Sequence, residues 1–149
     1  MTRLLVTKHF AAQPSEVFTV ITDLRSAAEV VPGIERLEVL TDGPIGVGTR
    51  FRETRVFFKR EATEEMVITG FEPPGGYTVG CESHGCSYLT SFRLAPDGEG
   101  TRVEVDFEAR PISLFARLMT PLGKLMVGQM RKCIEGDLDA LRTVAEGRG

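Results

Sequence analysis

Two charged residues on one predicted strand are the strongest candidates for chemistry in this sequence. Residues 49–58 have β-strand character, and their alternation puts aromatic and charged side chains together on either face. One face carries Phe51, Glu53, Arg55 and Phe57, and the other carries Arg50, Arg52, Thr54, Val56 and Phe58. If the first face points inward, the desolvated Glu53 is suited to general acid or base catalysis and Arg55 can stabilise an enolate. The alternative is that both charges lie on the solvent-exposed convex face or form an ion pair at the rim of the sheet, because charged side chains are rarely buried unless paired.

Other side chains on the predicted strands and terminal helix are candidates for contacting a ligand. Tyr77 and Tyr88 are the only tyrosines, and each can point its hydroxyl at a ligand or lie half-buried without such a role. Gln129 interrupts the apolar stripe between Met126 and Cys133, where an amide can orient a ligand, reach the helix edge or bond to the backbone. Three methionines of the same helix can form either an adaptable wall or ordinary core packing: Met119, Met126 and Met130.

Cys81, His84 and Cys86 have a spacing that resembles part of a metal site, but the sequence argues against a metal. A structural zinc site needs four ligands, and the only other histidine is His9, on a distant strand. His84 and the glycine after it suit a hairpin turn, and a Cys81–Cys86 disulfide would require that turn to put the two residues opposite each other. We predict no metal site and no cofactor, and the glycines of residues 43–48 lack the spacing of a phosphate-binding loop.

The composition excludes several classes of partner. The 149 residues contain 18 Lys and Arg against 21 Asp and Glu, a net charge of −3, so no basic surface for nucleic acid is predicted. No apolar run reaches the roughly 18 residues of a membrane-spanning helix, and residues 1–10 alternate rather than forming a signal-peptide block, so no integral membrane association is predicted. Three cysteines, an odd number, favour reduced thiols and a cytoplasmic location. With no repeat or linker, residues 1–149 are predicted to form one domain.

Apolar periodicity predicts the elements that position these side chains. A strand over residues 4–10 precedes a helix that begins at Pro14, and Ser26 with Glu29 forms a capping-box pattern for a second short helix. Six further strands are predicted near residues 34–41, 49–58, 61–71, 77–83, 86–95 and 101–110. A helical period then predicts one long amphipathic terminal helix, with a kink or break at Pro121.

This order of elements predicts an α+β fold. Seven strands connected mainly as hairpins form a curved, mostly antiparallel sheet, and the long terminal helix covers one face of it. When such a sheet wraps around a single helix, the side chains need not fill the space between them. We therefore expect an elongated, mostly apolar pocket between the sheet and the helix.

Short motifs spread over nearly the whole chain resemble one superfamily. They are Ala12-Gln13-Pro14-Ser15-Glu16-Val17-Phe18 with Asp23, Gly46-Val47-Gly48-Thr49, Phe71-Glu72-Pro73-Pro74, Gly100-Thr101-Arg102-Val103 and Asp137-Leu138-Asp139-Ala140-Leu141. In these motifs the sequence resembles the START-like superfamily called SRPBCC, and in particular its polyketide cyclase/dehydrase branch. The resemblance implies a helix-grip fold around a hydrophobic pocket, in a superfamily of lipid carriers, hormone receptors, aromatic-polyketide cyclases, oxygenase subunits and chaperone activators. The motifs are turns and caps without a reactive group, so they indicate fold better than function.

We therefore predict that the protein binds a small hydrophobic molecule, lipid-like or aromatic and polyketide-like, between the sheet and the terminal helix. The alternative is a polyketide cyclase or dehydratase-type enzyme that acts on such a ligand in the same cavity through Glu53, Arg55 or a tyrosine. A second alternative is a protein-interaction module, for which an exposed apolar patch would be the sign. The oligomeric state is not predicted. The predicted ligand-binding residues are Phe51, Met66, Tyr77, Val79, Tyr88, Phe92, Phe107, Leu122, Met126, Gln129, Met130 and Cys133.

Overall fold

A seven-stranded antiparallel sheet dominates the computed structural model, which describes residues 2–57, 59–83, 85–113 and 127–147. Its strands are β1 (Thr2–Phe10), β2 (Ile34–Val39), β3 (Arg50–Phe57), β4 (Arg60–Glu72), β5 (Gly76–Ser83), β6 (Cys86–Asp97) and β7 (Gly100–Pro111). The helical elements are α1 (Pro14–Ile21), a 3₁₀ turn (Leu24–Ser26), α2 (Ala27–Val30) and α3 (Val127–Ala145). The order across the sheet is β1-β7-β6-β5-β4-β3-β2, so neighbours from β2 to β7 are consecutive in the chain and β1 pairs with β7. The predicted α+β architecture is confirmed.

Turn residues set the strand boundaries close to the predicted ones. Between β6 and β7, for example, Asp97 pairs with Gly100 at the end of the hairpin. Gly98 in that turn has a φ of 62°, a left-handed conformation that glycine adopts without the steric cost other residues incur. The hairpin therefore reverses where the predicted turn signal stands in the sequence.

The second short helix begins differently from the prediction. Ser26 stands at the N-cap of α2 but makes no side-chain capping hydrogen bond. The 3₁₀ turn just before it leaves Ser26 with φ −103° and ψ −1°, whereas a capping serine normally has an extended backbone. The capping-box prediction for Ser26 and Glu29 is therefore wrong. The helix does end before Pro32, as predicted.

The core lies between the concave face of the sheet and the helices. Its most buried side chains include Phe10, Val17, Ile68, Val103, Val105 and Leu138. Helix α3 contributes Leu138 and Leu141 and contacts both β1 and α1. The predicted helical residues before Val127, with the kink at Pro121 and the candidate Met119, lie outside the described residues. Of the helices that are described, none is long and apolar enough to cross a membrane.

An ion-pair network covers part of the convex face. Asp106 on β7 is only 4% exposed although it points away from the core. Arg3 donates hydrogen bonds to its two carboxylate oxygens at 3.0 and 2.6 Å, and Arg93 donates at 3.3 Å. The hydrogen bond from Arg3 is the main reason that the pKa of Asp106 is lowered, and it outweighs the opposing effect of burial. Asp106 is thus a structural charge on the face opposite the cavity.

Candidate functional site

Strand β3 turns Glu53 and Arg55 towards the interior. Phe51 is 3% exposed and stands between its cross-strand partners Val39 on β2 and Met66 on β4. Because side chains alternate along a strand, Glu53 and Arg55 share the face of Phe51. The structure therefore places both residues on the concave side of the sheet, in the first of the two orientations considered for this strand.

Arg55 is the centre of an ion-paired group that joins β3 to α3. Its Nε donates to Glu53 Oε1 at 2.5 Å, and its two terminal nitrogens donate to Asp137 Oδ1 and Oδ2 at 3.0 and 2.7 Å. The Arg55 and Glu53 side chains are each 15% exposed, and that of Asp137 is 25% exposed. Desolvation alone would lower the pKa of Arg55, but the hydrogen bonds to Asp137 and the charges of both carboxylates outweigh it and raise the pKa. Arg55 stays charged, and N–H groups on its terminal nitrogens remain for a further acceptor.

A cavity of about 280 Å³ lies beside this ion-paired group. It opens between the segment before β2, the end of β3 and helix α3, and it is lined by Val31, Pro32, Gly33, Arg55, Val56, Gln129, Lys132, Cys133, Gly136 and Asp137. Gly33 permits the close approach of the segment before β2. A Cβ at that position would lie 3.1 Å from a terminal nitrogen of Arg55 and 3.7 Å from Asp137 Oδ1. A larger residue at position 33 would therefore press on the ion pair that forms one wall.

A third carboxylate lies on the same face of the sheet. Glu64 on β4 is the cross-strand partner of Glu53, and it shares the concave face with Met66. Its Oε2 is 4.0 Å from the thiol of Cys81 on β5. Burial raises the pKa of Cys81 to about 11, and the charges of Glu64 and Glu53 act in the same direction. The concave surface therefore combines a net acidic group with a neutral thiol.

Tyr77 lies among aromatic side chains on the concave surface. Its ring stacks on Phe92 with centroids 4.6 Å apart and meets Phe18 and Phe71 edge to face. Tyr77 is 6% exposed, and no hydrogen-bond partner for its hydroxyl is found within the described part of the chain. Burial raises the pKa of Tyr77, and so do the charges of Glu53 and Asp137, which lie within electrostatic range of the hydroxyl.

Tyr88 lies further along the same concave face. It stacks on Phe107, with centroids 5.8 Å apart, and is half-buried. Burial raises the pKa of Tyr88 to about 12, together with the neighbouring thiol of Cys86. Both tyrosine hydroxyls therefore keep their protons at neutral pH and can donate hydrogen bonds.

The structure brings most of the predicted ligand-binding residues to one surface. Seven of them share the concave face: Phe51, Met66, Tyr77, Val79, Tyr88, Phe92 and Phe107. On α3, Gln129 and Cys133 line the cavity, with Gln129 exposed and Cys133 half-buried, and Met130 packs against the core. Leu122 and Met126 lie outside the described residues. Whether these side chains bind a ligand stays a prediction.

Sequence reasoning missed three residues of the site. Asp137 follows Gln129 and Cys133 at four-residue spacing, so extending that helical stripe by one turn would have found it. Glu64 stands two residues before the predicted ligand-binding residue Met66, so period-two alternation along that strand would have put it on the same face. For Gly33, the sequence carries no signal beyond a helix stop, because its role depends on how closely two distant segments approach.

The cysteine pattern of β5 and β6 forms no cross-link. The register places Cys81 opposite Tyr88 and Cys86 opposite Ser83, and both thiols are free. No group of three or more metal-ligating side chains occurs in the described ranges, and His84 lies outside them. Large apolar side chains are exposed at several places in the described structure, among them Leu5 on β1 and Leu89 on β6, and the interaction-module alternative stays a prediction.

These contacts define what the site can do chemically. The guanidinium of Arg55 can donate to a carbonyl or enolate oxygen, and the carboxylates of Glu53 and Asp137 can accept from a ligand donor. Tyr77 supplies a neutral donor on the opposite side. Arg55 and Glu53 are each only 15% exposed, and this partial removal from water strengthens their polar contacts.

Comparison with known proteins agrees with this fold. A family model described as polyketide cyclase / dehydrase and lipid transport matches residues 1–146. No curated protein gives a significant match. Among solved structures, TTHA0849 from Thermus thermophilus has a TM-score of 0.77 at 20% identity, with 97% of each chain covered. The di-domain ARO/CYC protein StfQ of the steffimycin biosynthetic pathway has a TM-score of 0.81 at 14% identity, over 98% of this chain and 51% of that one.

A further similar structure is norcoclaurine synthase from Thalictrum flavum in complex with dopamine and hydroxybenzaldehyde, with a TM-score of 0.71 at 19% identity, over 96% of this chain and 85% of that one. At these identities the structural likenesses show the shared helix-grip fold alone. The family match over nearly the whole length goes further and confirms the resemblance seen in the sequence motifs. The chain belongs to the polyketide cyclase / dehydrase and lipid transport family.

Proposed function

We propose that the protein binds a small hydrophobic molecule containing at least one ring in the cavity between its sheet and α3. The apolar part of the ligand contacts the concave aromatic side chains, and its polar end meets the ion-paired group of Glu53, Arg55 and Asp137. The family description, with its cyclases and lipid carriers, supports a ligand of this class. So do the dopamine and hydroxybenzaldehyde bound by norcoclaurine synthase and the place of the ARO/CYC protein StfQ in the steffimycin biosynthetic pathway.

One observation carries the proposal: a largely desolvated ion-paired group borders an open cavity. Arg55 and Glu53 are each 15% exposed, and the cavity of about 280 Å³ reaches Arg55 and Asp137 directly. Ordinary core positions rarely hold three ionised side chains, because taking charges out of water costs several kcal/mol per ion unless they are well paired. The cavity lining combines apolar residues with Gln129, Lys132 and the Arg55–Asp137 pair, and polar groups converging on a partly apolar cavity are typical of small-molecule sites.

Two glycines of α3 provide a matched test. Gly136 lines the cavity, Gly128 does not, and a Cβ at either position would have no atom within 4 Å. Gly136→Leu adds an isobutyl group to the cavity, whereas Gly128→Leu makes the same chemical change elsewhere on the helix. Both variants should fold, because leucine has a better helix propensity than glycine by roughly 1 kcal/mol.

The readout is saturable binding of 1-ethylnaphthalene, followed by the fluorescence of the probe. The chain contains two tyrosines and no tryptophan, so its own emission interferes little. We expect wild type and Gly128→Leu to bind alike and Gly136→Leu to bind at least about tenfold more weakly. Native mass spectrometry of freshly purified wild type should also show a bound small molecule. No saturable binding by wild type, or equal binding by the two leucine variants, would overturn the proposal.

We also propose a second function, catalysis of ring closure and dehydration, which is favoured by the paired Glu53 and Arg55 sharing the concave face of the sheet with Tyr77. Glu53 would take a proton from a carbon between two carbonyls, and Arg55 would hold the resulting enolate oxygen. The enolate carbon would then attack a second carbonyl of the same chain, and Tyr77 would protonate the new alkoxide. The tyrosinate would next remove the remaining proton from the attacking carbon, and the protonated Glu53 would give its proton to the leaving hydroxide, which releases water and restores both residues.

This second function is tested with a synthetic tetraketide thioester and mass spectrometry. We expect wild type to speed the loss of one water from the substrate, and Arg55→Lys to slow it by at least about 10²-fold, because lysine cannot reproduce the fork geometry. Arg52→Lys on the convex side of the same strand is the matched control. A wild-type rate equal to the rate without protein would leave binding as the only function.

A further inference from the structure

The charges that face the cavity side of the sheet do not balance. Around the ion-paired group, the described residues Glu53, Glu64 and Asp137 carry three negative charges against the one positive charge of Arg55, an excess of two. Arg60 shares the face of Glu64 but stands four residues away, at the exposed start of β4. Lys8 does not correct the excess, because it forms its own ion pair with Asp139. Lys132 lines the outer part of the cavity and is exposed to solvent. The surroundings of Arg55 are therefore net acidic.

Glu64 is the residue that the ion-paired group leaves uncompensated. It stands directly opposite Glu53 in the antiparallel pair of β3 and β4, an arrangement in which like charges repel. Within the described residues, no cation lies at ion-pair distance from Glu64, and its polar contact there is the Cys81 thiol at 4.0 Å. A positively charged group placed here would relieve the repulsion between the two carboxylates.

Tyr77 provides an independent sign that a ligand belongs in this space. Its side chain is more than nine-tenths buried, yet its hydroxyl has no hydrogen-bond partner within the described chain. A largely buried tyrosine usually finds a hydrogen-bond partner for its hydroxyl, and without one from the protein the hydroxyl can bond to water or to a ligand. The hydroxyl lies within electrostatic range of Glu53 and Asp137, so a ligand that reaches those carboxylates can also accept from or donate to Tyr77.

From these observations we infer that the ligand is an aromatic molecule carrying a protonated amine, and that the site discriminates against a carboxylate in the same position. This inference rests on the binding function proposed above and adds the charge of the ligand to it. The ammonium group lies between Glu64 and Glu53, while the ring occupies the apolar part of the concave surface. Arg55 remains engaged with Asp137 and does not repel the ammonium as a free cation would.

The test compares three probes that differ only in their polar end: 2-(1-naphthyl)ethylamine, 1-ethylnaphthalene and 1-naphthylacetic acid. One uncompensated charge in a partly desolvated site changes affinity by about tenfold, which is about 1.4 kcal/mol. We expect the amine to bind at least about tenfold more tightly than 1-ethylnaphthalene, and the acid at least about tenfold more weakly. The preference for the amine should shrink as salt is added, because Coulomb attraction is screened.

Glu64→Gln supplies the decisive variant because it removes a charge without breaking an ion pair. Its affinity for the amine should fall about tenfold, with that for 1-ethylnaphthalene unchanged. Glu82→Gln, an exposed residue of β5 on the convex side, makes the same change and should leave all three affinities unaltered. If 1-ethylnaphthalene binds but the amine binds no better, or if Glu64→Gln keeps the amine preference, the inference about charge fails and the binding function stands. If none of the probes binds, both fail.

Discussion

Replacing Asp137 by asparagine tests whether the ion-paired group fastens α3 to the sheet. Asparagine keeps the shape of the side chain, but its amide can accept only one of the two hydrogen bonds that Arg55 donates, and its NH₂ group then faces a guanidinium N–H. A hydrogen bond to a charged group is worth about 1.5–3 kcal/mol, and little solvent screening is expected because Arg55 is 15% exposed. We expect a loss of about 2 kcal/mol in the free energy of unfolding.

Thermal unfolding followed by circular dichroism measures this loss. For a chain of this size, about 2 kcal/mol lowers Tm by about 4–8 °C. The matched control is Asp139→Asn, because the Asp139 side chain is 49% exposed and its pairs with Lys8 and Arg142 are surface ion pairs worth about 0–1 kcal/mol. Combining Asp137→Asn with Arg55→Gln should cost clearly less than the sum of the single changes. Equal losses for the two asparagine variants, or full additivity, would refute the role given to this ion pair.

Three further predictions concern the rest of the structure. Tyrosinate absorbance should not appear near pH 10 in the folded protein, because burial raises the pKa of Tyr77 and raises that of Tyr88 to about 12. Denaturation should restore tyrosine titration near pH 10. The free energy of unfolding should fall as pH rises above 10, because there only the unfolded chain releases these protons. Gly33→Ala should weaken binding of 1-ethylnaphthalene several-fold and lower stability by about 1 kcal/mol through contact with the guanidinium, whereas Gly46→Ala, with open space around it, should change neither. Asp106→Asn should lower the free energy of unfolding by about 1 kcal/mol at pH 7, a modest value because the arginine partners of Asp106 are about half exposed. The difference from wild type should vanish as pH falls below about 4 and then below the lowered pKa of Asp106, because the wild-type carboxylate is then protonated too.

Local patterns were sufficient to predict the sheet. Turn signals and period-two alternation gave the strands to within about two residues, because both act between near neighbours. The capping-box prediction at Ser26 was wrong because the preceding 3₁₀ turn fixes the backbone of Ser26, and that turn leaves no comparable pattern in the sequence.

The site was harder to predict because it depends on contacts between distant segments. Either face of β3 carries aromatic and charged side chains, so its own sequence does not decide which one is buried. The decision comes from Phe51 packing between two other strands and from Asp137, which is 82 positions from Arg55 in the chain. Cross-strand partners such as Glu64 become visible only once the register of β3 and β4 is known.

The most direct test of the account is to locate a bound probe by NMR. With ¹⁵N-labelled protein and 1-ethylnaphthalene, we predict saturable shifts of the backbone amides of Gly33, Cys133 and Gly136, which line the cavity, together with the side-chain Nε–H of Arg55. Shifts confined to the convex face, or no saturable shift at these positions, would contradict the claim that the space between the sheet and α3 is a binding site.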